Sequence, residues 1–454
     1  MIEIGWAMTT VIDRAHFTDP TPRAIAAELA RLITAGDLAA GERLPTVREV
    51  AGRLGVSPAT VSAAWKALSQ AGLIVSRGRA GSFVREERQE WMSPRVQGLA
   101  QHPGSPRLDL SGGTPDADLL PDLARAFSRV SPRAHTGRYH ESPVLPELET
   151  LLRRVWPSDA EAITVVDGAL DGVGRALEQV VRFGDRVVVE NPGFPYFFDL
   201  IEHLGAQPIP VELDAEGIAP SSFARALATR PTAVLLQPRA HNPTGVSTSP
   251  ERAAELARLV RASRNGARFV IIEDDHSGLV AAAPEVTLAR WLPEQVVHVR
   301  SFSKSHGPDL RIAALGGPSR IVDRVVARRL LGPGWTSRTI QAVLFDLLSD
   351  PVSIEAVVRA RESYRTRQRE LAGALRRHGV SAVAGDGLNV SWDVADERAA
   401  LLHLAAAGVG VAAGSPFFLS DRTARPLIRV TVGLVSGDVD AVAASLARAV
   451  RVTG

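Results

Sequence analysis

Between Pro22 and Ala35 apolar residues recur at helical spacing, with Ile25, Leu29, Leu32 and Ile33 on one face, and the pattern predicts an amphipathic helix. Gly41-Glu-Arg-Leu-Pro45 breaks it. Thr46-Val-Arg-Glu49 then has the spacing of a capping box, with Thr46 as N-cap and Glu49 reaching back. The helix it opens ends near Gly55. Ser57-Pro58 starts another, carrying Val61, Trp65 and Leu68 on one face and stopping at Gly72. Leu73 to Val84 reads as two short strands around Arg77-Gly-Arg-Ala-Gly81, a hairpin wing. Residues 86–107 are polar, hold Pro94, Pro103 and Pro106, show no clear period, and read as a linker. From Leu108 onward, strand-like runs (Ala162–Val166, Arg186–Glu190, Ala233–Gln237, Phe269–Glu273, Val296–Arg300) alternate with helical patterns. That alternation predicts an α/β domain with a mainly parallel sheet. Three parts are expected: a helical head over 1–85, a linker over 86–107 and an α/β body over 108–454.

Composition narrows the chemistry. With 45% hydrophobic and 22% charged residues, the 454-residue chain is globular rather than disordered. Its net charge is only +2, so any nucleic-acid site is a local patch. Pro20 to Arg85 supplies one, with nine basic and four acidic residues. Cysteine is absent, which excludes disulfides, thiolate metal sites and a cysteine nucleophile, and fits a reducing cytoplasm. No metal site is expected. Met1 to Phe17 lacks the basic start and long apolar stretch of a signal peptide, so no targeting segment is expected. The longest apolar run, Ala399 to Leu419, is interrupted by His403, several glycines and Pro416. It reads as buried helix, strand and turn rather than a membrane span. Of 52 lysines and arginines, only Lys66 and Lys304 are lysines. Where positive charge alone suffices, the chain uses arginine, so each lysine asks what a guanidinium does not do there.

Two short helices, a tight turn and a basic wing form a geometry that docks on double-stranded DNA. The stretch from Gly41 to Ser57, with Thr60-Val61, Ala71-Gly-Leu73 and Gly81-Ser-Phe-Val84, resembles the winged helix-turn-helix of the GntR family. That resemblance implies DNA contacts by Thr46, Arg48, Ser57, Ala59 and Thr60 and by the wing residues Arg77, Arg79 and Gly81. Pro58 and Ser62 stand where many members carry arginines.

In the body, Lys304 sits in Ser301-Phe-Ser-Lys-Ser-His-Gly-Pro-Asp-Leu-Arg311, just after a strand. A desolvated lysine condenses with an aldehyde, which arginine cannot do. Ser301, Ser303 and Arg311 offer hydroxyls and a fork for a phosphate. Together they suggest pyridoxal phosphate. Phe269-Val-Ile-Ile-Glu-Asp-Asp275 ends in carboxylates suited to a pyridinium nitrogen. Asn242-Pro-Thr-Gly245 offers a donor to a ring oxygen, Asn191-Pro-Gly-Phe194 an aromatic face, and Gly168 opens a helix whose amides suit a phosphate. A plain surface loop with a solvated lysine is the bland alternative for Lys304.

The region from Leu108 to Gly454 resembles the fold-type I aminotransferases, with a small C-terminal α+β subdomain. By that resemblance Lys304 is the Schiff-base lysine, and Asp274 (or Asp275, one register over) meets the pyridine nitrogen. Asn242 contacts the ring oxygen and Phe194 stacks. Gly168, Ala169, Ser301, Ser303 and Arg311 line the phosphate site, and Tyr139 reaches the phosphate of a neighbouring subunit. Arg429, in Ile428-Arg-Val430, grips a substrate or effector carboxylate. The chain departs from the family at His276, a cofactor-binding position where a tyrosine that donates to the ring oxygen is usual, and where a neutral histidine can donate too. It departs again at Asp167 and Ala169, where Ser or Thr is usual, and at Val144 and Glu149 in place of Gly and Arg.

A GntR-type head on an aminotransferase-like body resembles the MocR-type transcriptional regulators. The resemblance implies a domain-swapped homodimer that binds an operator and senses an amino compound or pyridoxal phosphate. A working aminotransferase with an accessory DNA-binding head is the alternative. A third reading is a regulator that no longer holds the cofactor and keeps its body for dimerisation.

Overall fold

The computed structural model describes residues 20–71, 73–76, 78, 81–85, 93–100, 106–130, 139, 141–263, 269–420 and 424–452. Arg77 and Arg79 lie outside them. The chain divides into two compact units between Ser93 and Pro94.

The first unit contains helices α1 (Pro22–Ala35), α2 (Val47–Leu54) and α3 (Pro58–Gln70) and the hairpin β1 (Ile74–Ser76) and β2 (Ser82–Val84). Each helix starts on the cap its sequence provides. Thr46 Oγ1 accepts from the Glu49 amide and Glu49 Oε2 from the Thr46 amide, closing the capping box. Ser57 Oγ accepts from the Thr60 amide. Gly55 ends α2 at φ 66°, a left-handed conformation that glycine adopts without a Cβ penalty. The apolar faces meet in one core of Ile25, Leu29, Val50, Leu54, Val61, Trp65 and Leu68, closed by Ile74 and Val84 of the hairpin.

The second unit is built on a seven-stranded sheet. Its strands are β3 (Ala162–Val166), β4 (Arg186–Glu190), β5 (Gln207–Val211), β6 (Ala233–Leu236), β7 (Val270–Asp275), β8 (Val296–Ser301) and β9 (Ala313–Gly317). They lie in the order β3-β9-β8-β7-β6-β4-β5. All neighbouring pairs are parallel except those of β9, which runs antiparallel to β8 and β3. The sheet is apolar on both sides because both are covered. Val187, Val189, Leu235, Ile272, Val297 and Val299 face one core, and Val188, Val234, Leu236, Ile271 and Val296 face the other. Helix α5 (Ala169–Val180) follows β3 and packs into the first core.

A smaller antiparallel sheet of β10 (Asn389–Asp393), β11 (Ala412–Ala413) and β12 (Leu427–Thr431) forms the C-terminal part, in the order β10-β12-β11. Leu108–Asp109 pairs in parallel with Val409–Gly410. The apolar run 399–419 is a helix (Glu397–Ala406), short strands and a turn, as its glycines predict. No helix among the described residues is long and apolar enough to cross a membrane.

Two local expectations differ from the structure. Within 86–107, Pro94–Ala100 is a helix, α4, too brief to show a period, and Arg95 anchors it to Asp199 and Glu202 at 2.8–3.0 Å. Strand β7 runs on to Asp275, beyond the expected Glu273. Parallel pairing with β8 continues through Asp274–Val299 and Asp275–Arg300 because Arg300 and Arg239 compensate the second aspartate.

Thr46→Ala removes one half of the capping box and is expected to destabilise α2 by about 1 kcal/mol. Faster amide hydrogen exchange across Val47–Leu54, with the β7 amides unchanged, is the measurement.

Candidate functional site

Parallel strands that end side by side leave a crevice beyond their carboxyl ends, and ligands bind there in open α/β sheets. Here β6, β7 and β8 end at Leu236, Asp275 and Ser301. Three consecutive carboxylates on β7 are almost fully buried. Strand alternation sends Glu273 and Asp275 to one side and Asp274 to the other. Glu273 accepts from the Thr287 hydroxyl and the Leu288 amide and pairs with His298 Nδ1 at 2.9 Å. Asp275 takes a two-pronged bond from Arg239, at 2.7 and 3.2 Å. Arg239 and neighbouring cations hold the Asp275 carboxyl well below its ordinary range despite burial.

Asp274 has no cation of that kind. Its Oδ2 accepts from Gln237 Nε2 at 2.8 Å, and its Oδ1 is buried with no partner among the described residues. Burial raises its pKa to about 7 against the lowering pull of Gln237. The same Gln237 accepts from the Asn242 amide through its Oε1 at 2.9 Å, so one side chain fixes both the acid and the loop that carries Asn242.

Lys304 lies one residue inside the short helix Ser303–His306 that follows β8. Its Nζ donates to the Gly113 carbonyl at 2.7 Å. Burial lowers its pKa to about 8, and the Arg429 and Arg311 cations add to the fall while Asp274 opposes it. Arg429, on β12 and only 4% exposed, donates to the Ser111 carbonyl, approaches Asn242 Oδ1 at 3.5 Å and lies over the Phe417 ring. Burial lowers its pKa to about 10. The backbone of Ser111–Gly113 therefore spans the amine and the guanidinium. Gly113 stands at φ 61°, a left-handed conformation that favours glycine, and a Cβ there would stand 2.8 Å from Arg429 Nη1.

Arg311 lies against the start of α5. Its Nη2 donates to the Asp167 carbonyl at 3.3 Å, and a Cβ at Gly168 would fall 2.7 Å from that same nitrogen. Gly168, at φ 103°, serves as the N-cap and Ala169 is the first residue of the helix. The Asp167 side chain, expected to crowd a phosphate, turns the other way. Its oxygens accept from Arg329 Nη2 at 2.8 Å and the Thr336 hydroxyl at 2.7 Å, so its charge is neutralised there. Ser301 Oγ accepts from the Ser303 amide at 3.2 Å. Phe194 is half-buried and packs edge-on to Phe197. His276 Nε2 lies 2.8 Å from the Ala240 carbonyl. Tyr139 is not drawn in: it is 81% exposed and touches the Trp335 ring edge-on.

The site thus gathers Lys304, Asp274, Asn242 and Arg429 around Gln237 and Ser111–Gly113, with Arg311 at Gly168. Gln237, Gly113 and the Arg329–Thr336 pair were not singled out by the sequence. For Gln237 and Gly113 the one signal was position, just past a strand end and inside a glycine pair; Arg329 and Thr336 carried none. On the head, Thr46, Arg48, Ser57 and Ala59 are exposed at the starts of α2 and α3, Thr60 is half-buried beside them, and the Arg43 guanidinium lies over Gly81.

An amine with a pKa near 8 is half neutral at that pH, whereas an ordinary lysine is almost fully charged. Only the neutral amine attacks a carbonyl. The rate at which cofactor-free protein captures a pyridoxal aldehyde is expected to rise with pH, reach half its plateau near pH 8, and vanish in Lys304→Ala. Asp167→Ala strands the buried Arg329 guanidinium and is expected to cost about 1–3 kcal/mol in urea unfolding.

Residues 21–84 match the bacterial regulatory proteins of the gntR family, and residues 105–446 match aminotransferase class I and II. The chain is 37% identical over 398 residues to the vitamin B6 salvage pathway transcriptional repressor PtsJ of Salmonella typhimurium, covering 86% of this chain and 89% of that one. It is 28% identical to the HTH-type transcriptional regulator TauR of Rhodobacter capsulatus, covering 88% and 90%. Its fold is similar to that of the kynurenine aminotransferase of Pyrococcus horikoshii, with a TM-score of 0.70 at 19% identity over 81% of this chain and 96% of that one. The cofactor of the aminotransferase-like domain is pyridoxal phosphate, and the residues fit it in kind. They offer an amine that can be neutral near pH 8, a buried carboxyl oxygen with no partner, and a guanidinium over a glycine at a helix start. A winged head and an aminotransferase-like body joined in one polypeptide place this chain in the MocR-type transcriptional regulators, a GntR-family group.

Proposed function

We propose that this regulator binds its operator through the winged head and reads a primary amine, carried by an amino compound, at Lys304. One observation carries the reading: the Lys304 ammonium and the Arg429 guanidinium are both held by the carbonyls of Ser111–Gly113. A ligand that has both an amine and a carboxylate competes with both of those bonds at once.

In this reading Lys304 bonds to the cofactor and Asp274 Oδ1 accepts a hydrogen bond from the protonated pyridine nitrogen. Asn242 faces the ring oxygen and Phe194 stacks on the ring. Arg311, Ser301, Ser303 and the α5 amides from Gly168 and Ala169 hold the phosphate. When bound, pyridoxal phosphate supplies an aldehyde that captures amines reversibly. Asp274, with its pKa near neutrality, holds or yields its proton according to whether a base faces Oδ1. Arg429 exchanges the Ser111 carbonyl for the effector carboxylate, a stronger charge-assisted partner. Ser111–Gly113 then loses two of the bonds that pin it. That segment continues in sequence through Leu108–Asp109 toward the head, so its two positions bias the DNA-binding arrangement by the ligand's differential affinity and no more.

Tyr139, exposed in the single chain, fits the role of reaching a neighbouring subunit's phosphate. We infer a homodimer with exchanged heads, working where the DNA is, in the cytoplasm. The DNA contacts in this reading are Thr46, Arg48, Ser57, Ala59, Thr60, Gly81 and the wing arginines Arg77 and Arg79. Regulator relatives that span almost the whole chain favour this reading over a working aminotransferase.

The test is operator binding by fluorescence anisotropy with and without candidate amino acids. Lys304→Ala is expected to bind operator within about twofold of the wild type and to lose the effector response. A full response in that variant, or sustained transamination by the wild type, overturns the reading.

A further inference from the structure

His276 ends the acidic run of β7, and its ring bonds back to the loop after β6. Its Nε2 lies 2.8 Å from the Ala240 carbonyl oxygen. A carbonyl oxygen carries no proton and only accepts, so Nε2 must be the protonated nitrogen. The Ser277 hydroxyl, at 3.5 Å from the same nitrogen, is too distant to compete. The carbonyl is well aimed. Ala240 stands at φ 47°, a left-handed conformation that few non-glycine residues adopt, and its amide is held by Ser247 Oγ at 2.8 Å. The backbone of Gly387 closes on this corner, where a Cβ would fall 2.7 Å from the Ala240 Cβ and 3.1 Å from Ser277 Oγ.

With Nε2 committed, the state of Nδ1 depends only on whether the ring is neutral or doubly protonated. Burial disfavours the cation most, the Lys304 and Arg239 charges add to it, and the bond to the Ala240 carbonyl and the Asp275 charge oppose it; the balance pushes the pKa down to about 4. The neighbouring His241 is itself held neutral, its pKa lowered to about 3 by burial. The ring is therefore neutral at physiological pH, and Nδ1 is a bare lone pair.

We propose that His276 presents a hydrogen-bond acceptor, and no donor, to a cofactor linked to Lys304. A tyrosine here would give a hydroxyl proton to the phenolic oxygen of the ring. His276 gives that oxygen a lone pair, which favours its protonated partner and disfavours the anion. Asn242 remains the one donor of this set. The anion is least shielded when the lysine–cofactor linkage loses its proton, so the linkage is expected to keep that proton to higher pH. Such a linkage stays electrophilic and ready for an arriving amine throughout the physiological range. This deepens the proposed sensing role and rests on that reading.

Visible absorbance titration of the full-length protein loaded with pyridoxal phosphate tests it, with wild type, H276F and H276Y side by side. Introducing a donor in H276Y is expected to lower the midpoint by about 1–2 pH units, the worth of a hydrogen bond to an anion. H276F, which removes an acceptor, is expected to stay at or below the wild-type midpoint. A midpoint that rises in H276F shows that His276 was donating, and overturns this inference alone. No lysine-linked band in the wild type overturns the cofactor reading and this inference with it. Nitrogen-15 spectra of histidine-labelled protein, assigned with H276F, give a check independent of variant folding: a protonated Nδ1 at neutral pH overturns the proposal, and an unprotonated one supports it.

Discussion

Three adjacent carboxylates buried in the central strand are the constraint on which the body depends. A buried charge is tolerable only when paired, hydrogen-bonded or neutralised by a proton. The strand's alternation divides the problem. On one side, Glu273 and Asp275 share His298, Arg239 and Arg300, an ionic layer that welds β7 to β8 and to the loop after β6. On the other, Asp274 receives one amide bond and keeps an oxygen without a partner among the described residues. The first arrangement stabilises the strand ends. The second leaves a group whose protonation state is still open near neutral pH, the kind of perturbed titration that clusters at functional sites.

A second constraint is the crossing of Ser111–Gly113 over Lys304 and Arg429. Both cations are desolvated, and desolvated cations seek carbonyl oxygen when no carboxylate is at hand. The backbone that satisfies them is also tied down, since the Gly113 amide donates to Thr431 and Leu110 bonds to Gly410 and Thr431. One stretch of backbone therefore holds both the Lys304 amine and the Arg429 guanidinium and is itself pinned to the small sheet.

Much of this was legible in the residues because local rules are strong there. The capping box at Thr46 and Glu49, the glycine stop at Gly55 and the continuous apolar runs of a covered parallel sheet each dictate one local outcome. The strand-end positions of Asn242, Asp274 and Lys304, and the pairing of Gly168 with Arg311, were likewise readable from the residues as places where strand ends meet. Other features are set by tertiary contacts that no spacing reveals. The Asp167 carboxylate reads as a clash with a phosphate until Arg329 and Thr336, more than 160 residues later, are seen to turn it away. Gln237 looks like any polar residue after a strand, yet it joins Asp274 to the Asn242 loop. The ends of β7 eluded the pattern because acids usually mark a strand's exit, and here their partners let the ladder continue.

Arginine stands in for lysine almost everywhere, and this has a consequence for a protein whose business is a reactive aldehyde. A guanidinium stays protonated and does not condense with carbonyl compounds under physiological conditions. The side chains thus offer an aldehyde only one amine besides Lys304, that of Lys66, exposed on α3. Encounters of an aldehyde with the arginine-rich surface leave no imine behind, and competition for the reagent narrows to a few nitrogens, of which that of Lys304 is the buried one.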